Sequence, residues 1–148
     1  MENNVLIFGH KNPDTDSITS ALVMENLERC IGNSNAKAVR TGNVNKETQF
    51  VLNYLGIEAP ELIDDVNDGQ EVILVDHNEA TQSPDNIANA KILKVVDHHT
   101  MKFIAPYQLY YRAEPVGCTQ TVLYKMYREN GVDIDKKIAT LMLSAIAS

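Results

Sequence analysis

The chain carries four histidines, His10, His77, His98 and His99, and each stands at the end of an apolar run. "VLIFGH" leads into "KNPDTDS", which adds Asp14 and Asp16; "VILVDH" delivers Asp76 with His77; "KVVDHH" delivers Asp97 with His98 and His99. Carboxylate oxygen with neutral imidazole is a donor set for divalent transition ions, whereas Mg2+ alone prefers oxygen and water. The histidine content therefore favours Mn2+, with Co2+ or Zn2+ also compatible. His10, Asp14, Asp16, Asp76 and His98, with His99 as a further candidate, are too many donors for one ion and suit two ions sharing a carboxylate. Two ions about 3.5–4 Å apart form the usual clamp for hydrolysing phosphate esters or anhydrides.

Each residue alone has a plainer role. Asp14 or Asp16 could cap the helix that follows. His77 suits packing or orienting its loop, because the adjacent Asp76 is the better ligand. Asp97 suits the part of a carboxylate that holds an imidazole. What resists the plain reading is the set: three separate segments bring Asp and His to strand ends, and no histidine lies elsewhere.

The elements that must position these residues alternate between two periodicities. Val5 to Phe8, Ala36 to Arg40, Glu71 to Val75, Ile92 to Val96 and Gln108 to Ala113 read as strands, several of them short continuous apolar runs typical of strands buried on both faces. Ser17 to Ile31, Lys46 to Leu55, Thr119 to Asn130 and Lys136 to about Ser148 read as helices. Asn45 is a plausible cap, and Gly32, Gly56 and Gly131 are stops. Alternation of this kind predicts an α/β fold of right-handed βαβ units, a mostly parallel sheet flanked by helices. Parallel strands bring their carboxyl ends to one edge, where open α/β sheets bind ligands. The last helix runs apolar to the final residue without a polar tail, which predicts that the natural chain continues.

Composition bounds the alternatives. The 148 residues suit one domain, and the net charge of −7 without a Lys/Arg cluster argues against a nucleic-acid surface. Neither a signal peptide nor a transmembrane run is visible, so a cytoplasmic location is expected. Cys30 and Cys118 lack any metal or redox spacing and read as free thiols. In "RAEPVGCTQT", the start of the helix at Thr119 could present free N–H groups to an anion, although an ordinary capped helix fits as well. Arg112 could contact phosphate or pair with Glu114, and Tyr107, Tyr110 and Tyr111 read as strand packing.

Taken in order, "GHKNPDTDS", "VDHNE", "VDHH" and "YYRAEPVGCT" resemble the N-terminal domain of the family II inorganic pyrophosphatases, members of the DHH phosphoesterase superfamily. The resemblance covers essentially the whole chain. It implies that residues 1–148 are a single N-terminal DHH metal-binding domain, with His10 and Asp14 on one Mn2+ or Co2+ ion, Asp16 and His98 on the other, and Asp76 bridging; Mg2+ is a further alternative. His99 would face the substrate phosphate, with Asp14 beside it in the catalytic set and Arg112 as a substrate contact. Water held between the ions would attack pyrophosphate and release two orthophosphates, in a cytoplasmic homodimer paired through this domain. The family has one more ligating aspartate and a C-terminal substrate-binding domain, neither present in this chain, so low activity is expected of these residues alone. Rival expectations are another DHH phosphoesterase acting on short oligonucleotides or cyclic dinucleotides, and a non-catalytic metal-binding dimerisation module.

Overall fold

A computed structural model describes residues 3–148. Six strands form one sheet: β1 (Val5–Phe8), β2 (Ala36–Arg40), β3 (Glu61–Leu62), β4 (Glu71–Val75), β5 (Lys91–Asp97) and β6 (Tyr110–Ala113). The four helices are α1 (Thr15–Cys30), α2 (Lys46–Leu55), α3 (Thr119–Asn130) and α4 (Lys136–Ile146). The strand order is β3-β2-β1-β4-β5-β6, and every pairing is parallel. The α/β class with a parallel sheet flanked by helices is therefore the observed one.

The strands are apolar throughout because both faces are covered. Ile7, Ile73, Val75 and Val96 point to one side, where they pack with Ala21, Val23, Met24 and Leu27 of α1, Val122 and Leu123 of α3, and Leu141 of α4. Phe8, Val72, Leu74 and Val95 point to the other side, against Val66, Ile87, Phe103 and Tyr107. Strand periodicity assigns successive residues to opposite faces, so two cores grow from one set of strands.

All four α-helices contribute to the first core; the second is closed by loops and short turns. The expected βαβ alternation thus holds only in part. The β4–β5 crossover carries two single 3-10 turns, Ala80–Gln82 and Ile87–Asn89, and the stretch from His98 to Leu109 before β6 has no helix. Proline at positions 84 and 106 and short polar stretches disfavour longer helices there. β3 has two residues and lies at the sheet edge, too short to leave a periodic signature. Asn45 caps α2 through Thr48 N–H, and Gly56 and Gly131 close α2 and α3 in the left-handed region.

The order reverses direction at β1 and β4: chain order runs outward from β1 to β2 and β3 on one side, and from β4 to β5 and β6 on the other. The crevice at the carboxyl ends of β1 and β4 is the topological switch point, where open α/β sheets place ligands.

Candidate metal centre

Three strand ends converge on that crevice. After β1 the chain must turn tightly past the start of α1. A Cβ on Gly9 would lie 1.7 Å from Ser17 Oγ, so only glycine permits this approach. His10 follows, and Asp14 caps α1, its Oδ1 accepting from Ser17 N–H at 2.9 Å. Asp76 directly follows β4 with φ 60°, and its N–H donates to the Val96 carbonyl at 3.0 Å. Left-handed backbone at a non-glycine residue is uncommon, and such positions concentrate at functional sites. Asp97 ends β5 and His98 follows it.

Asp76 is the centre of the arrangement and is 1 % exposed. Its Oδ2 lies 3.2 Å from His10 Nε2, and its Oδ1 lies 3.1 Å from His98 Nε2. Each imidazole has a second carboxylate at hand. Asp14 Oδ1 is 3.7 Å from His10 Nε2, and Asp16 Oδ2 is 3.6 Å from His98 Nε2. The other ring nitrogens face carbonyls: His10 Nδ1 donates to Lys11 O at 2.7 Å and His98 Nδ1 to Val116 O at 2.9 Å. A carbonyl only accepts, so the proton sits on Nδ1 and Nε2 is the nitrogen available to a ligand.

Of the two aspartates that could cap α1, Asp16 does not. Asp14 holds that position, and the Asp16 carboxylate reaches across to the start of α3, where Oδ2 accepts from Thr119 N–H at 2.9 Å. Oδ1 accepts from Ser20 Oγ at 3.1 Å. The start of α3, read from sequence as a place for an anion, is thus met by a carboxylate of the protein itself.

His99 stacks against His98, ring centroids 4.1 Å apart, and is half exposed. Its Nδ1 donates to Asp97 Oδ1 at 2.7 Å, while Asp97 Oδ2 accepts from Asn78 Nδ2 at 2.7 Å. Asn78 also donates to Thr100 O at 3.0 Å and accepts from Lys102 N–H at 2.6 Å, which pins the loop after His99. His77 points away from the cluster into the protein. Its Nδ1 donates to Val75 O at 2.9 Å, and Nε2 lies 2.6 Å from Ser83 Oγ. Arg112 does not join the cluster. Its guanidinium is taken up by Glu114 at 3.0 Å and by both oxygens of Glu129, at 2.5 and 2.9 Å.

The crowding of charge shows in the titration behaviour. Asp16 is pushed up to about 7, first by burial and then by the Asp76 charge. Asp76 is held well below the usual carboxylate range: burial works against ionisation, but the bonds from His10 and His98 outweigh it. His98 is lifted to about 9, mainly by its bond to Asp76. His10 also reaches about 9, where burial opposes the charge and the Asp76 bond, the Lys11 carbonyl and two carboxylate charges win. Burial pushes His77 down to about 4, so it is neutral.

The donors fit a divalent ion on their own chemistry. His10, Asp14 and Asp76 offer atoms all within 4.8 Å of one another, as do Asp76, Asp97, His98 and His99. Neighbouring ligands of an ion with bonds of about 2.1 Å sit roughly 3 Å apart, close to the 3.1 and 3.2 Å separations around Asp76. Beside the cluster opens a cleft of about 480 Å³, lined by His10, Asp76, Asn78, Gln82, His99 and Lys102.

Sequence reasoning missed Asn78, Ser20 and the hydroxyl of Thr119, whose N–H alone it noted. Asn78 stands inside "VDHNE" and Thr119 inside "GCTQT", both noticed as strings, but their partners lie far away in the chain.

Comparison with known proteins agrees with the geometry. A Staphylococcus epidermidis protein named "Probable manganese-dependent inorganic pyrophosphatase" is 58% identical over 143 residues, covering 96% of this chain and 46% of that protein. A solved structure from Methanococcus jannaschii, assigned to the family II inorganic pyrophosphatases, superposes with TM-score 0.87 at 38% identity, covering 96% of this chain and 47% of the other. An exopolyphosphatase-related protein from Bacteroides fragilis shares the fold, with TM-score 0.71 at 17% identity over 97% of this chain and 45% of that chain. The chain therefore spans about half the length of the relatives it matches. Residues 4–146 match the model described as the DHH family, N-terminal domain. Six parallel strands, a carboxylate between two imidazoles at the switch point and that match lead to one assignment: the chain belongs to the DHH family.

Proposed function

We propose that this chain is the metal-holding N-terminal domain of a manganese-dependent inorganic pyrophosphatase, which hydrolyses pyrophosphate to two orthophosphates. One observation carries the reading. The two oxygens of Asp76 face two different imidazoles, each with its own second carboxylate. That is the donor pattern of a bridging carboxylate between two ions, His10 and Asp14 on one and Asp16 and His98 on the other. Relatives named for manganese-dependent pyrophosphate hydrolysis support the choice of metal and substrate. Bound there, two divalent ions would neutralise phosphoryl oxygens and lower the pKa of water.

The protein's own groups do the remaining work. Asp97 accepts from Nδ1 of His99, which sets the orientation of the ring. Nε2 of His99 has no protein hydrogen-bond partner among the described residues, and the ring lines the cleft. There, when both ring nitrogens carry a proton, it can donate one to a phosphoryl oxygen. Asp14 holds the open side and stands next to the reacting groups. Hydrolysis adds water across one P–O–P bridge, so the leaving phosphate needs such a donor.

The relatives' remaining length is proposed to hold the substrate-binding half, whose cations would complete the cleft, and the whole enzyme to be a homodimer. A reducing, cytoplasmic setting is proposed because Cys30 and Cys118 are both free. No helix among the described residues is long and apolar enough to cross a membrane.

The test is phosphate release from pyrophosphate by the full-length protein with Mn2+, after chelation, and in Asp76→Asn. Asparagine keeps the shape and tolerates the left-handed backbone, so the change removes the charge and one of the two ligand oxygens while leaving the fold. Activity should vanish on chelation and fall by at least about 100-fold in the variant. Undiminished turnover in Asp76→Asn would overturn the bridging role.

A further inference from the structure

Thr119 stands where two buried carboxylates must be kept apart and aimed. Its backbone N–H donates to Asp16 Oδ2 at 2.9 Å, and its hydroxyl donates to Asp76 Oδ1 at 3.0 Å. Both acceptor oxygens face His98 Nε2, at 3.6 and 3.1 Å. Thr119 is 0 % exposed, and Asp16 and Asp76 are 7 % and 1 % exposed, so no bulk water shares the task.

The local chain explains why the residue is free to do this. Thr119 is the first residue of α3, where N–H groups have no intrahelical acceptor. Cys118 occupies the N-cap, and an N-cap side chain serves only the second or third N–H of a helix, so the Thr119 N–H is open to Asp16. Threonine is stiff at χ1, which limits the directions its hydroxyl can take. The remaining oxygen of Asp16 is fixed through Ser20, itself contacted by Gln120 at 3.3 Å, while Gln120 donates to Thr19 at 2.8 Å. Asp16 is therefore clamped from α1 and α3 together, and of its two hydrogen-bond donors, Ser20 and Thr119, it is Thr119 that also donates to Asp76.

We infer that Thr119 is a positioning residue: its two donated bonds set Asp16, Asp76 and His98 as one ready-made half-site for a divalent ion, independent of the His10–Asp14 half. The inference rests on the metal-centre reading above. Groups that orient ligands in this way commonly govern metal affinity by 10–100-fold.

The experiment is calorimetric titration of Mn2+ into the metal-free, full-length protein, comparing wild type with Thr119→Val and Thr119→Ser. Valine keeps the shape and removes the hydroxyl; serine keeps the hydroxyl. Wild type should take two ions. Thr119→Val should bind one of them roughly 10-fold or more weakly and the other, served by the opposite oxygen of Asp76, within about threefold of wild type. Thr119→Ser should return the weakened site to within about threefold of wild type, the shortfall reflecting serine's freer rotamers. A general loss of stability would lower both sites together and would not be cured selectively by serine. If wild type binds no Mn2+, the metal-centre reading itself fails. If wild type binds two ions and Thr119→Val binds both as tightly, the positioning role fails alone. Folding is checked by circular dichroism in EDTA. Where Thr119→Val does not fold, Thr119→Ala takes its place, and failure of both to fold even with Mn2+ overturns the proposal in favour of a purely structural residue.

Discussion

The two halves of the site are built by different means. On one side, His10 is fixed by the carbonyl of its neighbour Lys11, and Asp14 is fixed by capping its own helix. All of this lies within a single turn, and the Asp14 side chain is 59% exposed. On the other side, Asp16 is held by Thr119 and His98 by Val116, partners far along the chain, and the Asp16 side chain is only 10% exposed. Asp76 belongs to both. The difference teaches that one half is a local turn that can adapt, while the other exists only once α1, α3 and the strand ends have packed. A rigid half and an adjustable half are a sensible pair around substrate, since the open half is the one that must admit it.

The largest effect should come from removing what the halves share. Asp76→Asn takes a ligand from both, so metal analysis after gel filtration should find neither ion retained at Mn2+ concentrations that saturate the wild type. Retention of one ion at full strength would show that Asp76 serves only a single half.

Next comes a contrast between the halves themselves. Asp14→Asn keeps the helix cap, because asparagine caps as well as aspartate, and removes one charge from an exposed position. Asp16→Asn removes a charge whose carboxylate is held by two hydrogen bonds, from Thr119 N–H and Ser20 Oγ, in a buried site. Mn2+ affinity at the affected site should fall by roughly 10-fold in Asp14→Asn and about 100-fold or more in Asp16→Asn, following the stronger electrostatics of buried positions. Equal losses would erase the distinction between an adaptable and a preorganised half.

What the sequence revealed follows the same division. "GHKNPDTDS" announced its histidine and aspartates because the open half is made within one stretch, and strand ends carrying Asp and His pointed to the crevice. The parallel sheet was legible from buried apolar runs, and α2 from Asn45 through to Gly56. Capping of α1 was open to Asp14 or Asp16 in the string, and nothing there says that α3 will arrive beside Asp16. Asn78 and the hydroxyl of Thr119 escaped for the same reason: their value is a hydrogen bond to a residue brought near by tertiary packing. The β4–β5 and β5–β6 crossovers gave no helical period, and there residues 98–109 form an irregular cover over Phe8, Leu74 and Val95.

A pH series probes both halves together. In the metal-free chain His10 and His98 titrate near 9, above the value of about 6.5 expected unfolded. The folded state binds these protons more tightly, so their contribution is full below about pH 6.5 and is lost as pH rises through about 9. Asp16, raised to about 7, adds the same sign at lower pH. Thermal unfolding in EDTA should therefore show a midpoint that falls between pH 6.5 and 9. Saturating Mn2+ should reverse the trend, because ligation needs unprotonated Nε2 and releases the protons. A midpoint in EDTA that rises over this range would contradict the ion pairing seen around Asp76.

The smallest effect marks where the site stops. Arg112 lies on β6, opposite Val96 of β5, and its guanidinium is consumed by Glu114 and Glu129. Freeing it for a phosphate would cost these bonds, and the side chain lines neither half of the centre. Arg112→Gln should therefore cost about 1 kcal/mol or less in stability, the scale of ion pairs near a surface. Mn2+ affinity should stay at the wild-type value, and KM for pyrophosphate in the full-length protein should change by less than about twofold. A tenfold rise in KM at unchanged metal affinity would mean that the arginine leaves its carboxylates for substrate, and the boundary drawn here between the β6 ion-pair network and the metal centre would have to move outward to include it.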